Sequence, residues 1–113
     1  MALGISTSKI DEVIVVRLSG VIHFGEDSAS LRTHVKELLE NSRQIVLDLR
    51  SVTSIDSGGL GTLVGLFASA RRVGGDIKLA GLGGHPKEAL QITKLVTVFE
   101  IFERAEDAAA SFK

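Results

Sequence analysis

A chain of 113 residues that is 44% hydrophobic and 24% charged has the composition of an ordinary globular domain and enough length to bury its own core. Its 13 basic and 14 acidic residues leave a formal charge of -1, and phenylalanine is its only aromatic. The basic footprint and stacking aromatics of a nucleic-acid binder are therefore missing. The absence of cysteine excludes disulfides, thiol catalysis and cysteine-ligated metal.

His23, His34 and His85 are far apart, and no pair has the spacing of a helical metal motif, so no metal is expected. The first twenty residues or so lack a basic start followed by an apolar run, so no signal peptide is read. The longest uncharged run, Ser57 to Ala70, falls short of the about 20 residues of a membrane span. A cytoplasmic protein without a membrane segment is the expectation.

Along the chain, Ile5 and Ile10 suggest a first strand, and Lys9-Ile10-Asp11-Glu12 a hairpin turn. Val13 to Leu18 is β-branched and short and stops at Gly20, as a strand does. Gly25-Glu26-Asp27-Ser28 opens a helix with acids near its positive end. Leu31, Val35, Leu38 and Leu39 form its apolar stripe. Ile45 to Leu49 reads as a strand covered on both sides. Leu60, Leu63, Val64 and Phe67 make a second helical stripe, which Gly74-Gly75 terminate.

Ile77 to Ala80 is a further strand, followed by the loop Gly81-Leu82-Gly83-Gly84. Pro86 suits the first position of a helix running to Lys94. Val98 to Phe102 reads as a last strand and Ala105 to Phe112 as a closing helix. Strands alternating with helices imply one α/β domain over residues 1–113, with a parallel or mixed sheet flanked by helices.

The chemistry concentrates in Ser51-Val52-Thr53-Ser54-Ile55-Asp56-Ser57-Gly58-Gly59-Leu60-Gly61, where a strand gives way to a helix. A nucleotide P-loop would need Gly-Lys-Ser/Thr, and no lysine follows. A nucleophile elbow would read Gly-x-Ser-x-Gly, but Ile55 stands two residues before Ser57. A small serine hydrolase thus lacks both its motif and a placed base. The plainest reading makes Ser57 the helix N-cap, worth about 1 kcal/mol. Against it stands a face of Gly58, Gly61 or Thr62, Gly65 and Ser69, repeating at three- and four-residue steps. Each internal glycine costs about 1 kcal/mol relative to alanine. Such losses fit a backbone that must come close to the sheet or to another protein.

The run Ile45 to Leu66, with Asp56-Ser57-Gly58-Gly59-Leu60-Gly61 at its centre, resembles the signature of the STAS domain, and specifically the bacterial anti-sigma factor antagonists. The likeness extends over Val15 to Ile22, Gly74 to Leu82 and Leu90 to Phe102. It implies a STAS-like α/β fold: a mixed, mostly parallel sheet of about four to five strands with about four helices.

It also implies a binding module without catalysis or cofactor. In that family the serine after the aspartate, here Ser57, is phosphorylated by a partner that is both anti-sigma factor and serine kinase. The unphosphorylated antagonist binds this partner and frees the sigma factor; a serine phosphatase restores the bound state. Carried across, the partner surface comprises Asp56, Gly58, Gly59, Gly61, Thr62, Gly65 and His23. Exposed strand edges or the Phe99–Phe102 region could pair, so a monomer or weak homodimer is expected, and composition and run length give no expectation of direct nucleic-acid or membrane contact. Within the same fold, the alternative is a non-switching scaffold subunit of a signalling or transport complex.

Two positions depart from the family pattern. Gly58 stands where the family often has Ser or Thr, which leaves Ser57 as the motif's single hydroxyl. His23, in Gly20-Val21-Ile22-His23, occupies the place of an acid near the phosphorylation site. An imidazolium there would pair with a phosphoserine and make the response pH-sensitive.

Overall fold

Ile10 pairs with Val13, so Asp11 and Glu12 alone turn the first hairpin, and Asp11 takes the left-handed φ of 55° that a short polar residue tolerates. In the computed structural model, which describes residues 3–112, this hairpin joins β1 (Gly4–Ile10) to β2 (Val13–Ile22). There follow α1 (Glu26–Leu39), β3 (Gln44–Ile55), α2 (Ser57–Arg72), β4 (Asp76–Ala80) and α3 (Gly84–Ile92). A short 3-10 helix (Leu95–Thr97), β5 (Ile101–Phe102) and α4 (Ala105–Ala110) complete the order.

The five strands lie in sequence order, β1 antiparallel to β2 and every later pair parallel. This is the mixed, mostly parallel sheet expected. One face carries α1, α2 and α3 over a core that includes Val16, Leu31, Leu47, Leu63, Leu79 and Leu90. The other carries α4, whose Ala105, Ala108 and Ala109 pack with Val13, Val15, Val46 and Ala80, and Ile10, Phe102 and Phe112 lie against this cluster. Alanines bring so short a helix close to the sheet, and this second layer is what buries β3 on both sides.

Helix α2 ends as its glycines predict. Gly74 has φ 81°, its N–H donates to the Arg71 carbonyl at 3.1 Å, and that of Gly75 to Ala70 at 2.8 Å. The two bonds are those of a Schellman closure.

Several boundaries differ from the sequence expectation. β3 does not stop at Leu49 but runs to Ile55, because Ser51 to Ile55 continue to pair with β2, ending with Ile22 opposite Ile55. Register shifts after Arg17 and Gly20 break the alternation and hide this extension from a periodicity argument. The last strand shrinks to Ile101–Phe102, since Phe99 leaves the sheet and meets Phe67 edge-on at 5.1 Å. α3 begins two residues before Pro86, and α4 ends at Ala110, short of Phe112. In α2 the buried stripe is Leu60, Leu63, Leu66 and Ala70, with Val64 and Phe67 at its half-buried margin.

Candidate functional site

The carboxyl ends of β2 and β3 stop side by side, so the loop after Ile22 and the start of α2 are built against each other. Asp56 is the joint. Its Oδ1 accepts the Gly59 N–H at 2.8 Å, and both carboxylate oxygens accept the Phe24 N–H, at 3.1 and 3.0 Å. Its own N–H donates to the Ile22 carbonyl at 3.3 Å.

These bonds favour the ionised form. The Phe24 N–H, then the Gly59 N–H, and more weakly the charge of His23, hold the Asp56 carboxyl below its usual range against the opposing effect of desolvation. A carboxylate so committed is a clamp between loop and helix and a poor proton acceptor.

Asp56, and not Ser57, is therefore the N-cap of α2. That corrects the plainest sequence reading. Ser57 is the first helical residue and is exposed, and among the described residues no hydrogen bond holds its hydroxyl. An N-cap side chain folds back on the helix, whereas a side chain at the next position is free to face outward.

The glycines divide by role. A Cβ on Gly59 would overlap the Ile22 carbonyl, and one on Gly58 would come within 2.6 Å of the Phe24 Cβ. These two let the loop cross closely over the helix start. Gly61 and Gly65 would meet nothing within 4 Å, so neither is needed for contact with the sheet. They face a groove of about 420 Å³ between α1 and α2, also lined by Gly58, Thr62 and Ser69. Thr62 is buried in its wall, donating to the Gly58 carbonyl at 3.0 Å and accepting from Arg32 Nη2 at 3.4 Å.

Of the sequence-derived site residues, the structure gathers Asp56, Ser57, Gly58, Gly59, Gly61, Thr62 and Gly65 on the first turns of α2. His23 lies in the loop facing them, with Nε2 3.1 Å from Ser54 Oγ and its carbonyl accepting the Ser28 hydroxyl at 2.8 Å. His34 is engaged elsewhere, 2.7 Å from Thr7 Oγ1.

Sequence reasoning missed Phe24, 83% exposed beside Gly58, and the basic residues Arg32, Lys36 and Arg72 that rim the groove. The four-residue spacing of Arg32 and Lys36 was legible; that α2 lies next to them was not.

No helix among the described residues is long and apolar enough to cross a membrane, and no cluster of three or more His, Cys, Asp or Glu among them is placed to hold a metal.

Fold and site together define an α/β domain with an open helix face that begins at an exposed serine. Residues 4–108 match the STAS domain, and the chain belongs to that family. BtrV of Bordetella bronchiseptica, which carries the name of an anti-sigma factor antagonist, is 28% identical over 98% of this chain and 96% of its own. The anti-sigma-B factor antagonist of Bacillus subtilis is 27% identical over 94% and 96%. The Bacillus cell fate determinant SpoIIAA in its phosphorylated form superposes with a TM-score of 0.75 at 17% identity, over 97% of this chain and 100% of that one.

Proposed function

We propose that residues 1–113 act as one cytoplasmic STAS domain whose unphosphorylated form binds an anti-sigma factor with serine kinase activity, so freeing a sigma factor. Phosphorylation of Ser57 ends the binding and a serine phosphatase restores it. In this reading the protein performs no catalysis and carries no cofactor. Its docking surface is Asp56, Gly58, Gly59, Gly61, Thr62 and Gly65, with His23 at the edge.

The observation that carries this reading is the pair Asp56–Ser57. Because Asp56 already caps α2, Ser57 is released from structural duty and stands exposed at the helix start. The names of the two relatives support the antagonist role, and SpoIIAA, a neighbour of the same fold, occurs in a phosphorylated form.

A phosphate on Ser57 would carry about -1.5 to -2 charge at the end of a helix dipole that tolerates anions, so the fold can survive modification. An interface fitted to a neutral hydroxyl would have to desolvate that dianion beside Asp56. A loss of about 4 kcal/mol weakens binding roughly a thousandfold.

The test is a pulldown with wild type, Ser57→Ala and Ser57→Asp as baits. A histidine-kinase-like ATPase retained by the first two and lost with Ser57→Asp is the expected result. Retention of the same proteins by all three would reduce the chain to a scaffold.

A further inference from the structure

The groove between α1 and α2 has a charge of its own. Arg32 and Lys36, one turn apart on α1, and Arg72 in the last turn of α2 all line it, and among the described residues no acidic side chain does. Among the described residues none of the three is in an ion pair. Arg71 makes the contrast: it is spent on Asp76 at 3.4 Å and on the ring of Phe67. Three unneutralised cations around one groove are a local feature, since the whole chain carries only -1.

Helix dipoles explain part of the arrangement. Lys36 and Arg72 lie in last turns, where cations are favoured. Arg32 lies in the middle of α1, four residues from a like charge, where such a pair is mildly destabilising. Among the described residues its one hydrogen bond is the long one to Thr62.

We propose that this groove takes an acidic polypeptide segment of the protein partner, whose carboxylates pair with Arg32, Lys36 and Arg72 while its backbone lies over Gly61 and Gly65. This rests on the docking surface proposed above and adds the chemistry of the partner. The bare positions 61 and 65 leave room for a chain between two helices, and Phe24, exposed at the Ser57 end, supplies an apolar stop. A single groove rimmed by three cations on a chain of net negative charge is a weak match for a polyanion as extended as nucleic acid or a membrane surface.

The experiment uses the whole chain and two fluorescein-labelled helical peptides of about 16 residues. One bears Glu along one face, and the other bears Lys at the same positions. At about 50 mM salt, where surface charges are weakly screened, the acidic peptide should bind saturably and at least about tenfold more tightly than the basic one. Lys36→Glu/Arg72→Glu should weaken it at least about tenfold. The control Lys9→Glu/Lys87→Glu, which changes net charge equally on exposed positions elsewhere, should weaken it less than about twofold.

Equal loss in both double variants, equal binding of both peptides, or capture by phosphatidylglycerol vesicles in preference to the acidic peptide would each overturn the inference. Thermal melts of the variants confirm that they fold.

The two readings fail separately. The peptide assay needs no kinase, so acidic binding in the groove with partner retention by Ser57→Asp sinks the phosphorylation switch alone. Loss of the partner with Ser57→Asp, but wild-type affinity in Lys36→Glu/Arg72→Glu, sinks the groove assignment alone.

Discussion

Asp56 carries more of the site's structure than the serine beside it. Its carboxylate satisfies two backbone N–H groups from different elements, those of Gly59 and Phe24, and so fixes the loop on the helix start. Replacing Asp56 by alanine removes a cap and leaves both donors without it, and should cost about 1–2 kcal/mol in urea denaturation. Asp56→Asn keeps one oxygen for the Gly59 and Phe24 donors and removes the charge together with the second acceptor. Because the folded carboxyl is held below its ordinary range, the stabilisation from that charge is complete above the unfolded value of about 3.9. It is lost as pH falls through the lower folded value. The advantage of wild type over Asp56→Asn should therefore be constant from pH 5 to 7 and shrink in melts below about pH 4. An advantage that grows towards acid would contradict this sign.

At the scale of the element, α2 combines one glycine-bearing edge that its neighbours require and one that they do not. Gly59→Ala sets a methyl against the Ile22 carbonyl and should destabilise the fold by about 1–3 kcal/mol, or shift the loop that Phe24 and His23 occupy. Gly61→Ala and Gly65→Ala meet open space. Each should raise stability by about 0.5–1 kcal/mol, because alanine is the better helix former. The same two substitutions should weaken the partner captured in the pulldown. Stability and binding thus move in opposite directions on one helix face, which a purely structural role for these glycines does not produce. Paired melts and affinity measurements on Gly61→Ala/Gly65→Ala give the check.

Over the whole molecule the sheet is unequally covered, by three helices on one face and α4 on the other. Lys78 fastens this thinner layer. It is 5% exposed, donates to Ser111 Oγ at 2.7 Å, and holds its ammonium 4.2 Å from the centre of the Phe112 ring. Glu100 reaches it at 3.2 Å from the surface. Lys78→Ala should lower stability by about 1–3 kcal/mol through lost packing, hydrogen bonding and ring contact. Hydrogen exchange should then speed up first in α4 and leave β2 and β3 protected. The site at the opposite end of the sheet should keep its partner in this variant, since α4 contributes nothing to the groove.

How far the sequence alone reached follows from what kind of signal each feature leaves. The order of strands and helices was legible because periodicity, the Gly74-Gly75 stop and the acids of Glu26-Asp27 act within a few residues of the elements they mark. The motif around Ser57 was legible for the same reason, and with it the family. The continuation of β3 to Ile55 was not, because β-bulges and pairing with β2 hold Ser51 to Ile55 in the sheet against their mixed polarity. The cap lies at Asp56, one residue before the serine that composition also favours, since Asp and Ser are equally good caps. Only the Phe24 and Gly59 donors, one of them thirty-two positions from Asp56, select the aspartate. Which glycines are packed and which are open, and which cations share a groove with them, depend on α1 lying against α2. The sequence by itself determined the elements and the exposed serine's motif through local chemistry; tertiary packing decided what that serine is free to do and what charge surrounds the face it heads.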